Sequence, residues 1–155
     1  MQNDFIRIQE ADFDLTTEVK ALRTDDPRVG AIVTFVGTVR DMNDGSKVKG
    51  MTLEHYPGMT EKALEDIITQ ARGRWDIYKS LVIHRVGPLL PKDQIVLVAV
   101  TSAHRGEAFA ACDFIMDYLK TAAPFWKKED TPEGARWVDA RVTDDAAKVR
   151  WEQKS

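Results

Sequence analysis

The chain has 155 residues, a mass of 17.5 kDa, 43% hydrophobic and 30% charged residues, and a net charge of −3 with a pI near 5.6. That composition suits one globular domain with a core of its own and excludes a disordered chain. The acidic balance argues against a general nucleic-acid binder, which carries a basic excess, but leaves room for a local basic pocket.

The single cysteine, Cys112, excludes an internal disulfide and a Cys-based zinc site, and its neighbours Ala110 and Ala111 predict a small core hydrophobe. Residues 1–4 show no basic segment followed by an apolar run. No apolar stretch approaches the ~20 residues of a membrane span, so a cytoplasmic protein is expected.

Phe5-Ile6-Arg7-Ile8 alternates and predicts a first strand. A helix is expected from Leu15 to Arg23 with Asp14 as its cap, ended by Asp25-Asp26-Pro27. Residues 30–40 are β-branched and apolar at both parities, which predicts a strand buried on two sides. The Asp44-Gly45 turn signal and the return at residues 51–56 predict a hairpin with a long loop, broken at Pro57-Gly58. From Met59 to Trp75, apolar residues recur at intervals of three and four, the mark of an amphipathic helix. Residues 80–86 and 94–101 read as strands separated by a corner at Gly87-Pro88-Leu89-Leu90-Pro91. Gly106 to Thr121 reads as another helix, stopped by Pro124. Residues 125–129 and 135–140 predict a last hairpin around Pro132-Glu133-Gly134. The segment from Arg141 is polar and reads as loosely ordered, apart from Trp151. This order predicts an α+β fold with helices on one side of a mostly antiparallel sheet, as one domain over residues 1–140 with a tail over 141–155. Gly-rich phosphate loops in a βαβ setting are missing, which argues against a dinucleotide or Walker-type site.

Cations fall at element ends. Arg40 closes an apolar strand, His104 and Arg105 follow another, Lys120 lies in the last turn of a helix, and Lys127 and Lys128 come just after Pro124. Such positions can line an anion pocket, and a guanidinium can hold a phosphate through two hydrogen bonds. Each also has a plainer explanation. Arg40 can mark a strand leaving the core, and Lys120 can pair along its helix with Asp113 and Asp117 or complement the helix dipole. Lys127-Lys128-Glu129 can be an exposed edge, and His84 and His55 can be core histidines. No His pair has metal-ligand spacing, and no nucleophile elbow is visible.

Several segments together carry a resemblance: Phe35-Val36-Gly37-Thr38-Val39-Arg40, Leu53-Glu54-His55-Tyr56-Pro57-Gly58-Met59, Ile83-His84-Arg85-Val86-Gly87, Ser102-Ala103-His104-Arg105 with Ala108-Phe109, and Tyr118-Leu119-Lys120 leading to Pro124-Phe125-Trp126-Lys127-Lys128-Glu129. In this order the chain resembles the large, catalytic subunits of molybdopterin synthase. The resemblance implies an α/β hammerhead with an additional antiparallel β subdomain. It implies a sulfurtransferase that converts cyclic pyranopterin monophosphate (precursor Z) into molybdopterin in molybdenum cofactor biosynthesis. It implies a partner too: a small ubiquitin-like subunit whose thiocarboxylated C-terminal Gly-Gly donates the sulfur. The expected assembly is a homodimer within a heterotetramer, with no metal or cofactor. Lys120 matches the family's principal catalytic lysine and Lys127 its companion. Thr38, Val39, Arg40, His104, Arg105, Lys120, Lys127, Lys128 and Glu129 match its substrate-binding set. The resemblance allows His104 and Arg105 to serve the pocket of a neighbouring protomer. Position 125 often carries a smaller aliphatic residue in the family, so Phe125 is expected to reshape the pocket rim. Met116, Phe125 and Trp126 are candidates for an apolar docking patch, and the tail with Trp151 for ordering against the small subunit. Two other classes fit the residues without the resemblance: an anion-sensing module and a structural protein that pairs through a sheet edge.

Overall fold

The computed structural model describes residues 3–43, 45–138 and 151. In chain order it comprises β1 (Asp4–Gln9), α1 (Leu15–Arg23), β2 (Ala31–Thr38), β3 (Met42–Asn43), β4 (Ser46–Lys47), β5 (Gly50–His55) and α2 (Met59–Arg74). Then follow β6 (Lys79–Arg85), β7 (Gly87–Leu89), β8 (Gln94–Ser102), α3 (Arg105–Ala122), β9 (Phe125–Thr131) and β10 (Gly134–Val138). The helices start where local chemistry lets them. Asp14 accepts the Thr16 N–H at 3.2 Å and the Thr17 hydroxyl at 3.0 Å, which caps α1. Gly58 enters α2 with φ +86, a left-handed conformation that a side chain would strain, and its N–H is taken by Glu61 at 3.2 Å.

The first sheet has the order β1-β6-β8-β2, with β1 parallel to β6 and the other pairs antiparallel. Helices cover both of its faces, not one. Val82, Val96, Val98 and Val100 pack against α2 and α3, whereas Leu81, Ile83, Leu97 and Ala99 pack against Phe13 and Leu22 around α1. The reason is the apolar character of β6 and β8 at both parities, which commits both faces to burial. β2 carries a similar pattern yet lies at the sheet edge. Phe35 there is 38% exposed, so the expected two-sided burial does not hold. Apolar composition alone does not distinguish a central strand from an edge.

The second sheet is antiparallel in the order β10-β9-β5-β7. It is the additional subdomain of the expected architecture. The hairpin expected between β2 and β5 does not form, because β2 pairs with β8 and β5 with β7 and β9. The long loop instead folds on itself as the β3–β4 hairpin, turning through Gly45 at φ +79. The expected corner at Gly87 contains the short strand β7, paired through Leu89 to Met51.

His84 of β6 stacks on Phe125 of β9 with ring centroids 3.8 Å apart, and this contact joins the two sheets. Its Nδ1 donates to the Arg85 carbonyl at 2.8 Å. Burial pushes the imidazole down to about 4, helped by the nearby His55 and opposed by the bond to Arg85. Cys112 is buried beside Val98, and burial pushes its thiol up to about 12, so it packs and does not react.

Trp151 does not wait for a partner. Its ring packs edge-on against Trp75 and Phe114, at 5.4 and 5.5 Å between centroids, and its Nε1 donates to Asp117. Arg74 bonds its carbonyl at 3.1 Å. The remaining expectations for residues 139–150 and 152–155 lie outside the described residues.

Two outcomes are expected. Trp151→Ala removes a buried aromatic from the main core and lowers unfolding stability by about 3–5 kcal/mol, measured by urea denaturation. Folded His84 refuses a proton down to pH about 4, whereas the unfolded chain takes one near pH 6.5. Stability therefore falls as pH drops through that window, by about 3 kcal/mol in total. His84→Gln loses that share of the pH dependence, measured by denaturation at pH 7.5 and 4.5. Equal slopes for both proteins contradict the assignment.

Candidate functional site

A cavity of about 720 Å³ opens where the two sheets meet the C-terminal end of α3. The edge of the first sheet contributes Thr38, and Arg40 follows just after it. The hairpin contributes Asn43, β6 contributes His84, and α3 contributes Lys120. From β9 come Phe125, Lys127 and Glu129. Met51, Leu53, Met116 and Leu119 give the cavity an apolar part.

Strand parity decides which β9 residues take part. Alternate residues of a strand face opposite sides. Phe125, Lys127 and Glu129 face the cavity, while Trp126, Lys128 and Asp130 are exposed on the other side. Lys128 lies over the Trp137 ring, 5.8 Å from its centroid. The structure therefore separates Lys128 from Lys127 despite their adjacency.

Of the residues expected in the site, Thr38, Arg40, Lys120, Lys127 and Glu129 converge on this cavity. The Val39 side chain is buried against Met51, Leu53 and Leu89, and its backbone is taken by Asp93 and Lys92. His104 is the N-cap of α3 and Arg105 its first residue, while Lys120 is in its last turn. Fifteen helical rises put Arg105 about 22 Å from Lys120 along the axis. His104 and Arg105 thus lie at the far end of α3, outside this cavity of their own chain.

Glu129 is the electrostatic centre of the wall. It is 2% exposed. Its Oε2 accepts from Asn43 Nδ2 at 2.8 Å and lies 4.0 Å from Lys127 Nζ, while Oε1 lies 3.2 Å from Arg136. A buried carboxylate needs such partners, because the charge is expensive to desolvate alone. The same contact fixes the orientation of Asn43. Its amide nitrogen must face the accepting carboxylate, so Oδ1 faces away. That oxygen is buried and has no partner among the described residues, an arrangement costing about 1–3 kcal/mol.

Asn43 and His84 were not singled out as functional by sequence reasoning. The run Asp41-Met42-Asn43-Asp44-Gly45 reads as turn chemistry, and only the long-range contact with Glu129 gives Asn43 another role. His84 is the buried histidine that was expected, and it also lines the cavity. With Arg40, Lys120 and Lys127 on one cavity and the lining carboxylate already shared, the site suits an anionic ligand with an apolar or aromatic part. Among the described residues, no three His, Cys, Asp or Glu side chains are grouped to hold a metal ion.

Comparison with known proteins places the chain in a family. A family profile described as "MoaE protein" matches residues 8–122. The molybdopterin synthase catalytic subunit of Ralstonia nicotianae is 69% identical over 146 residues, covering 94% of this chain and 83% of the relative. The solved structure of a molybdopterin biosynthesis MoaE protein from Burkholderia ambifaria superposes with a TM-score of 0.82 at 62% identity, covering 96% of this chain and 98% of the other. The crystal structure of molybdopterin synthase from Staphylococcus aureus superposes with a TM-score of 0.76 at 31% identity, covering 90% of this chain and 98% of that one. With family match, overall identity and fold in agreement, the chain belongs to the MoaE family, the catalytic subunits of molybdopterin synthase.

Proposed function

We propose that the cavity between the sheets is the sulfur-transfer site, and that it takes cyclic pyranopterin monophosphate together with the thiocarboxylated C-terminus of a small ubiquitin-like subunit. The observation that carries this reading is the convergence of Arg40, which follows β2, with Lys120 of α3 and Lys127 of β9 on one hollow. Arg40 holds the substrate phosphate through charge-assisted hydrogen bonds. The apolar lining faces the rest of the substrate, and the remaining volume admits a peptide end.

The thiocarboxylate sulfur attacks the substrate carbon that carries one ester oxygen of the cyclic phosphate; a C–S bond forms, that C–O bond breaks, and the phosphate stays on the substrate through its other ester oxygen. Water then adds to the acyl carbon, the acyl–sulfur bond breaks, and the sulfur stays on the pterin while the small subunit leaves as a carboxylate. The tetrahedral oxyanion formed in that hydrolysis is stabilised by the ammonium groups of Lys120 and Lys127. Glu129 orients Lys127, and its shared bonds to Asn43 and Arg136 keep it from neutralising that lysine alone. Thr38 completes the wall beside Arg40, and Val39 between them anchors this stretch through its buried side chain and its backbone bonds to Asp93 and Lys92.

His104 and Arg105 enter the same reading through the homodimer. Their position at the far end of α3 suits them to a neighbouring protomer's cavity, where Arg105 adds a second guanidinium and His104 a proton carrier near neutrality. Lys128 and the exposed Trp126 lie on the opposite face of β9, where they suit contact with a partner protein instead of substrate. The cytosol is the compartment in this reading, in keeping with one unpaired thiol.

Replacing Lys120 with Ala is expected to lower dithiolene formation by about 100-fold or more while leaving the thermal unfolding midpoint near that of the unmodified protein. The assay supplies precursor Z and the thiocarboxylated small subunit, and near-normal conversion removes Lys120 from the mechanism. The shared site has its own test. Lys120→Ala and Arg105→Ala chains, each nearly inactive alone, are mixed and allowed to exchange. Half the dimers then carry one intact site, so roughly a quarter of full activity returns. No recovery confines Arg105 to its own protomer.

A further inference from the structure

Among the described residues, Asn43 is the buried side chain of the cavity wall with half of its amide left over. Its nitrogen is spent on Glu129 at 2.8 Å, and its oxygen is buried without a partner among the described residues. Native structures leave few such groups unmade, and those at a site ask for an explanation. The orientation is not arbitrary, because the carboxylate of Glu129 accepts and the amide nitrogen donates. Arg136 holds both partners in position by donating to the backbone carbonyl of Asn43 at 3.2 Å and to Glu129 at 3.2 Å. The free oxygen is therefore an unmet acceptor on a residue of the cavity wall, where the cations Arg40, Lys120 and Lys127 offer donors only.

We infer that Asn43 reads the heterocycle of the substrate: its Oδ1 accepts an N–H of the pterin, while the cations hold the phosphate. This rests on the reading of the cavity as the site for a pterin phosphate. A pterin presents N–H donors that a cationic wall cannot satisfy. An acceptor shielded from solvent is reached by a compact ring that has entered the cavity, whereas a peptide end arrives through the mouth. The residue sits on the two-residue strand β3, which pairs only with β4 among the described strands.

The test separates the two halves of the ligand. The full chain, unmodified or carrying Asn43→Leu, is titrated with cyclic pyranopterin monophosphate, with phosphate-free 6-hydroxymethylpterin and with inorganic phosphate. Asn43→Leu is expected to weaken both pterins about tenfold or more and to leave phosphate binding unchanged. In the full assay with the small subunit, the loss appears in KM for the precursor more than in kcat. Asn43→Ala, which leaves room for a water to accept the N–H, loses less than Asn43→Leu, and it decides the matter if the leucine variant does not fold. A purely structural role through Glu129 and Lys127 predicts the reverse: pterin and phosphate affinity fall together, and the alanine variant suffers at least as much. That outcome overturns the inference, as does unchanged pterin binding or a loss confined to the small subunit's affinity. Failure of the unmodified chain to bind the precursor at all counts instead against the functional reading.

Discussion

The inner face of β9 is the constraint on which the site depends. Phe125, Lys127 and Glu129 share one parity and span about 13 Å of strand, and each is fixed by a different contact. Phe125 stacks on His84 of the first sheet. Glu129 is tied to Asn43 on the hairpin and to Arg136 on β10. Lys127 lies between them. Because β9 belongs to one sheet and its contacts reach the other, the seam between sheets and the position of the lysine are set together. A change of one residue in the register of β9 would turn all three side chains away and present Trp126 and Lys128 instead.

Charge then decides what that seam can bind. Arg40, Lys120 and Lys127 bring three positive groups to the cavity, and Glu129 answers only part of that charge because Arg136 also claims it. His84 adds none, since burial keeps its ring neutral through the physiological range. A partly apolar hollow lined by several positive groups attracts an anion more strongly than the same charges would in water, because the walls lower the local dielectric. The net acidity of the whole chain is no obstacle, as the field that matters is local.

Much of this was legible in the sequence, and the failures have physical causes. The bounds of α1 followed from Asp14 and from the polar break after Arg23, and the C-terminal end of α3 from Pro124. Both rest on local chemistry that a sequence displays. Sheet pairing does not. Residues 30–40 and 51–56 are close in sequence and look like a hairpin, yet β2 joins β8 and β5 joins β9. Partner choice is a tertiary outcome, set here by the apolar faces of β6 and β8. The cations were visible as residues, and the resemblance assigned them roles. Only the fold could divide Lys127 from Lys128 by parity, set His104 and Arg105 a helix length away from Lys120, or give Asn43 a partner 86 positions along the chain.

The distribution of strain and stability across the molecule follows the same division. Around the cavity the chain tolerates a buried carboxylate, a buried neutral imidazole and an unpaired amide oxygen, all of which cost folding free energy. Away from it, Trp75, Phe114 and Trp151 pack edge to face, and Trp151 also satisfies its N–H on Asp117. Asp117 and Lys120 stand on the same helix, one turn apart. The aromatic cluster therefore anchors α3 just before its last turn, and a firmly anchored helix end is what allows Lys120, itself exposed, to hold its place at the cavity. Docking Trp151 on its own chain thus serves the site indirectly, by making rigid the element that carries the lysine.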